Sequence, residues 1–286
     1  MKKLGLALAA AAALFSGSAA QAETAQSATA ADLEMWRLEC GDIALANGAI
    51  FSDTHLFDGR PTQLAGSCYL IRHGSEYMLW DAGLPKSLVG APTSDHGVSL
   101  ALKVSLVDQL RQLGVAPASI SKVAISHYHF DHAGQLPDFP NATLVINEKD
   151  WAVVSTGDAT IPYLQPPLFA PWMRKNGGKV MTYAKDLDIY GDGSVLIKAT
   201  PGHTPGHTSL LVRLHDMGDV LLTGDLYHFE EQARLHSVPS YNYDRVLTLS
   251  SMDRFDDTAK NLNAKVVIQH DPNHVGRLPT FPASAK

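Results

Sequence analysis

The chain predicts an α/β fold with mixed sheets, on two observations. Four separate strand-like apolar runs each end in a histidine or an aspartate, which is where an open sheet places ligand-binding residues. They are Val123-Ala124-Ile125 before Ser126-His127, Ser194 to Lys198 before Thr200 to His207, Val220-Leu221-Leu222 before Thr223-Gly224-Asp225, and Lys265 to Gln269 before His270-Asp271. Apolar residues at helical spacing precede two of these runs, which supports two βα halves and an α/β chain with mixed sheets.

The elements follow in order along the 286 residues. Residues 1–22 read as a secretory signal, with Lys2 and Lys3, an apolar stretch from Leu4 to Phe15 and the small-residue cleavage site Ala20-Gln21-Ala22. That stretch is short for a bilayer span, so a periplasmic or secreted protein without a stable membrane anchor is expected. Residues 23–33 form a flexible polar lead, and 34–286 a single domain. A hairpin runs from Ser67 to Gly83. Leu102, Leu106, Leu110 and Leu113 mark a helix stopped by Gly114, feeding the strand Lys122 to Ile125. Ile161 to Met173 carries four prolines among large apolar groups and reads as a loop. Thr208 to Leu214 and Val220 to Thr223 pair around Asp216-Met217-Gly218-Asp219. Val246, Leu249, Met252 and Phe255 line a second helix before the last strand.

Composition narrows the partners. Loss of Lys2 and Lys3 with the signal moves the formal charge from −6 to −8, and no Lys/Arg run remains, which speaks against nucleic acid. Cys40 and Cys68 are the only cysteines; a disulfide and two small buried thiols both fit an exported chain. A monomer and a homodimer are equally compatible with the sequence.

The segment His127-Tyr128-His129-Phe130-Asp131-His132 carries the chemistry. Two histidines at i and i+2 on a tight turn aim at one cation, and the Asp and His that follow point back toward a second. With the other strand ends the ligand set becomes His127, His129 and His203 for one ion and Asp131, His132 and His270 for the other, with Asp225 between them. A nitrogen-rich site beside a mixed one suits zinc. His207, four residues after His203, reads as a residue that orients the loop. His55, His73, His96, His215, His236 and His274 lack a ligand-spaced partner and read as surface or structural residues.

This ordered set, together with Asp81-Ala82-Gly83, Thr200-Pro201-Gly202-His203-Thr204-Pro205-Gly206-His207, Leu222-Thr223-Gly224-Asp225 and Gln269-His270-Asp271, resembles the metallo-β-lactamase superfamily, and within it the N-acyl homoserine lactonases. The resemblance implies a four-layer αβ/βα sandwich over residues 34–286, two divalent cations bridged by Asp225, and opening of an acylated lactone by a hydroxide shared between the cations. It also implies a quorum-quenching role. Where true β-lactamases usually carry Cys or Ser, this chain has Asp225, which favours ester or lactone hydrolysis. A β-lactamase, a thioesterase and a broad lactonase are the alternative hydrolases, and a periplasmic metal-binding protein is the non-enzyme alternative.

Asp131 is the candidate proton shuttle. His228 stands where the lactonases often carry a tyrosine, so it is expected to donate a hydrogen bond to a substrate oxygen, with Tyr227 beside it turned away. Tyr163, Leu168, Phe169, Trp172 and Met173 are the candidate cap over an acyl tail, because a pocket for such a tail must be apolar.

Overall fold

The computed structural model describes Met1 and residues 33–286, so the expected signal peptide and nearly all of the polar lead lie outside the described residues. Leu33, assigned to that lead, instead opens the first strand and is buried. Two sheets face each other. The first takes β1 (Leu33–Leu45), β2 (Thr62–His73), β3 (Glu76–Trp80), β4 (Thr93–Asp95), β5 (Val98–Ala101), β6 (Ile120–Ala124), β7 (Thr143–Asn147) and β8 (Val180–Tyr183) in the order β4-β5-β1-β2-β3-β6-β7-β8. The second takes β9 (Leu187–Asp188), β10 (Val195–Ala199), β11 (Thr208–Leu214), β12 (Gly218–Leu222) and β13 (Lys265–Val267) in the order β13-β12-β11-β10-β9. Both sheets are mixed: β3, β6, β7 and β8 run parallel, as do β12 and β13, and the remaining pairs are antiparallel.

Alternation of side chains along the strands separates the layers. Tyr69, Ile71, Met78, Trp80 and Val145 point inward against Val195, Ile197, Leu210, Val212 and Leu222, forming the core between the sheets. The opposite face of the first sheet, through Leu70, Leu79, Val123 and Leu144, packs on Leu106 and Leu110 of α1 (Leu106–Gln112). On the far side, Leu211 and Leu221 pack on Met252 and Phe255 of α6 (Arg245–Leu262). The result is helix, sheet, sheet, helix. Between α1 and α6 lie the short helices α2 (Phe130–Ala133), α3 (Glu148–Val154), α4 (Ala170–Met173) and α5 (Glu230–Leu235).

Some local readings need correction. Leu102 lies outside α1, which starts only after Ser105, whose side chain accepts from the Asp108 N–H and caps the helix. Val246 is 75% exposed, so the buried face of α6 begins further along, at Thr248. The proline-rich 161–173 stretch closes into a 3-10 turn over Pro166–Phe169 followed by α4, because proline is tolerated in a first helical turn, where its missing N–H has no partner to lose. Cys40 and Cys68 form a disulfide joining β1 to β2, at the irregularity in their pairing between Glu39 and Gly41.

Candidate metal centre

The strand ends converge at one edge of the two sheets. β6 delivers Ser126 and His127 to a turn whose backbone passes through His129, the residue before α2, so that Asp131 and His132 ride the first turn of α2. The turn after β10 brings His203, the turn after β12 brings Asp225, and the chain leaving β13 brings His270. All seven expected ligands meet there. His127, His129, His203 and Asp225 form one cluster and Asp131, His132 and His270 another, the donor atoms within each lying no more than 4.8 Å apart.

Asp225 stands between the clusters with one oxygen toward each. Oδ1 is 3.0 Å from His132 Nε2 and 3.1 Å from His270 Nε2, while Oδ2 is 3.4 Å from His203 Nε2 and 3.8 Å from His127 Nε2. Asp225 is 3% exposed, and burial alone would raise its carboxyl; His132, His270, His228 and His127 around it instead hold it well below the usual range.

The outer ring nitrogens are tied down so that the inner ones face the centre. His132 Nδ1 donates to Asp81 Oδ2 at 3.0 Å, His270 Nδ1 to the Ala65 carbonyl at 3.0 Å and His203 Nδ1 to Asn242 Oδ1 at 2.9 Å. A proton fixed on Nδ1 leaves the Nε2 lone pair free, the form a metal requires. Asp81 serves as a hub: it also accepts from the Ser126 N–H and from Gln269 Nε2, at a backbone φ of 62° that is costly for a residue other than glycine. Asp150, completely buried on α3, accepts from Thr204 Oγ1 and the Gly206 N–H and so shapes the turn carrying His203. Burial pushes its carboxyl up to about 7.

Without a cation this arrangement is frustrated. His129 Nδ1 and His203 Nε2 face each other at 3.1 Å, as do His132 Nε2 and His270 Nε2. His127 Nε2 is buried without a hydrogen-bond partner. Burial drives His127 and His203 well below their ordinary range and His129 to about 3, so their lone pairs are available rather than protonated. His132 differs: burial pulls it down, but Asp225, Asp81 and Asp131 together hold it well above 6.5. The donor set therefore fits two divalent cations with a shared carboxylate.

His207 lies behind the ligands. Its Nε2 accepts from the Asp225 N–H at 2.8 Å and its Nδ1 donates to the Thr200 carbonyl at 2.8 Å. A side chain on Gly224 would meet His207 Nε2 at 2.6 Å, and this glycine adopts φ +56°. Of the six histidines without a ligand-spaced partner, His55, His96 and His215 are exposed, and His73 and His236 are half-buried. His274 is buried and accepts from the Ile268 N–H, bracing the segment that ends in His270.

Beside the clusters opens a cleft of about 150 Å³, walled by Ile43, Leu45, Leu64, Val98, Leu100 and Tyr163 and reaching Asp131, Asp225, His228 and His270. Of the expected cap, only Tyr163 is there. Phe169 and Trp172 are buried in the core beneath the first sheet, and Leu168 and Met173 pack against the same core. The apolar character of that stretch reflects its packing, and the cleft takes its wall from β1 and β5 instead. Tyr227 donates to Asp256 Oδ1, away from the cleft. Tyr241, which carried no recognisable signal in the sequence, enters the site with its hydroxyl 3.0 Å from His228 Nε2. Burial, with Asp225 and Asp131 nearby, raises its phenol well above 10.

Residues 61–270 match the family model described as the metallo-β-lactamase superfamily. The chain belongs to the metallo-β-lactamase superfamily. Among relatives of this superfamily member, N-acyl homoserine lactonase AttM of Rhizobium radiobacter is 38% identical over 176 residues, which are 58% of this chain and 64% of that protein. The AttM of Rhizobium johnstonii (strain DSM 114642 / LMG 32736 / 3841) is 33% identical over 220 residues, 71% of this chain and 81% of that protein. The chain thus spans less than two thirds of the first relative but most of the second. In structure, a quorum-quenching N-acyl homoserine lactone hydrolase superposes with a TM-score of 0.71 at 24% identity, covering 88% of this chain and 97% of its own; this likeness establishes the fold.

Proposed function

We propose that the protein is a dinuclear metal-dependent hydrolase that opens the lactone ring of N-acyl homoserine lactones. The observation that carries this reading is Asp225, which turns one oxygen to each of two ligand clusters at the floor of an apolar-walled cleft. His127, His129 and His203 would hold one cation and Asp131, His132 and His270 the other, and zinc would suit the nitrogen-rich donor set. When bound, such cations polarise the ester carbonyl and lower the pKa of water from about 16 toward about 7.

The chain's own residues supply the rest. Asp81, Ala65 and Asn242 hold the imidazoles in the ligating tautomer, and His207 fixes the backbone under Asp225. Asp131 is half-buried at the cleft edge, where its carboxylate can also take a proton. Ile43, Leu45, Val98 and Leu100 give an acyl tail a dry wall. The similarity to proteins named as N-acyl homoserine lactonases supports the same substrate class. Export to the periplasm, where such signals pass, accords with the sequence of residues 1–22.

A pH-drift assay on purified zinc-loaded protein tests this reading, using homoserine lactones of graded chain length and a cephalosporin as control. Acid release from the lactones and none from the cephalosporin is the expected result. Turnover of the cephalosporin alone would replace the lactonase assignment with a β-lactamase.

A further inference from the structure

Gln269, the residue before His270, is buried, and both N–H bonds and both lone pairs of its amide are taken. Its Oε1 accepts from Trp80 Nε1 at 3.0 Å and from the Gly224 N–H at 3.0 Å. Its Nε2 donates to Asp81 Oδ2 at 2.8 Å and to the Ser67 carbonyl at 3.4 Å. Two donors on one side and a carboxylate and a carbonyl on the other fix the orientation of the amide. The side chain therefore bridges both sheets at the edge where the ligands meet. Ser67 and Trp80 belong to β2 and β3, Gly224 to the turn after β12, and Gln269 to the chain leaving β13.

These contacts bear on one ligand cluster. Asp81 Oδ2, which takes the Gln269 N–H, also accepts from His132 Nδ1 at 3.0 Å. Gly224 immediately precedes Asp225, whose Oδ1 lies 3.0 Å from His132 Nε2 and 3.1 Å from His270 Nε2. His270 itself follows Gln269 in the chain. One amide thus touches the supports of His132, of His270 and of the Asp225 oxygen turned toward them. The other cluster is held differently: His203 Nδ1 donates to Asn242 Oδ1, and Asp150 shapes the turn that carries His203. Ser126, which adjoins His127, donates its N–H to the other Asp81 oxygen, Oδ1; its hydroxyl also reaches Oδ2 at 3.1 Å, so His127 feels Gln269 only at two removes. Asp81 sits at φ 62°, a conformation that persists only where its surroundings over-determine it, and the Gln269 N–H is one of the bonds that do so.

We propose that Gln269 is a positioning residue for the cluster of Asp131, His132 and His270: its amide presets that cluster for a cation, and its loss weakens the ion there while sparing the one held by His127, His129 and His203. This rests on the dinuclear reading of the site. Groups that orient metal ligands are worth roughly 10- to 100-fold in metal affinity. The role is in holding the ion, so excess zinc restores what loss of the amide removes.

Zinc binding to the metal-free protein, measured against a competing chelator, reads the two affinities separately. Gln269→Met should weaken one ion by roughly 10- to 100-fold and the other by less than about 3-fold. In 15N spectra of the histidine-labelled variant with one zinc per chain, assigned by single-histidine substitutions, His127 and His203 should carry the metal-bound shift and His132 and His270 the free one. Because Gln269→Met strands the Trp80 and Gly224 N–H groups in the core, Trp80→Phe serves as a second variant. It removes a single bond from the amide and should weaken the same ion by a smaller factor. Phe255→Ala, a core change on α6, should lower stability and leave both affinities as in the wild type. Turnover of Gln269→Met should fall at limiting zinc and recover most of its loss at saturating zinc. Equal weakening of both ions, weakening at His127 and His203 alone, or unchanged affinities would each overturn the proposal. A wild-type chain that binds one zinc at any concentration would remove the dinuclear reading itself, and the proposal with it.

Discussion

Asp225 and His207 occupy adjacent places and have different duties. Asp225 alone turns oxygens to both clusters, whereas His207 holds the Asp225 N–H and the Thr200 carbonyl from behind. Asp225→Ala should abolish most turnover and metal retention. His207→Ala should keep both metals and most activity while costing about 1–3 kcal/mol of stability, because it leaves a buried N–H unpaired. Elemental analysis with urea unfolding of the two variants separates these outcomes; equal loss of metal in both would refute the division. Burial also lowers His207 from 6.5 to about 4. Its folded pKa is depressed, so its contribution to stability is complete above about 6.5 and disappears as pH falls through 4. At about 1.4 kcal/mol per unit this amounts to about 3 kcal/mol. In His207→Asn, the metal-free protein should lose less stability between pH 6.5 and 4 than the parent does in urea titrations.

At the scale of elements, the Cys40–Cys68 bridge lies under the loop that carries Asp81. The Leu84 N–H donates to the Cys40 carbonyl, and a side chain on Gly83 would meet Cys40 Cβ at 2.6 Å. Closing 28 residues of sequence separation restrains the unfolded chain by about 3–4 kcal/mol in the loop-entropy account. The Cys40→Ala/Cys68→Ala pair should therefore lower unfolding stability by about that much in guanidinium titrations, and an unchanged midpoint would exclude the bridge as a brace. This pairing was open in the sequence, because two cysteines beside strand-like runs say nothing of which strands are neighbours. The metal segment was legible because His127 to His132 sets four candidate ligands, three histidines and an aspartate, within six residues at a strand end. Asn242 and Ala65 were not, since an ordinary amide or carbonyl gains its role only when another loop folds against it. Stretch 161–173 was misread because apolar composition fixes burial and not the cavity it faces.

The whole molecule shapes the cleft: the first sheet, through β1 and β5, forms its apolar wall, and its floor comes from the turns of both sheets. The α/β class was legible in the sequence, because residues at helical spacing alternate with strand-like runs, and the layering followed from the resemblance. What was hidden was that β4 and β5 extend the first sheet beside β1, a pairing fixed only by long-range contact. Longer acyl chains should be better substrates by roughly 0.8 kcal/mol per buried methylene until the cleft is filled. Leu100→Ala and Val98→Ala should flatten that dependence, while Phe169→Ala should lower stability and leave it unchanged, because Phe169 lies in the core. A chain-length profile altered by Phe169→Ala but not by Leu100→Ala would return the tail to the 161–173 segment.

The central claim is that two cations act together across Asp225, and a zinc titration of metal-free protein tests it most directly. Metal content and lactone turnover are followed side by side as zinc is added. Turnover should stay low through the first equivalent, rise with the second and plateau at two ions per chain. Full activity at one ion per chain, with no second ion bound, would contradict it.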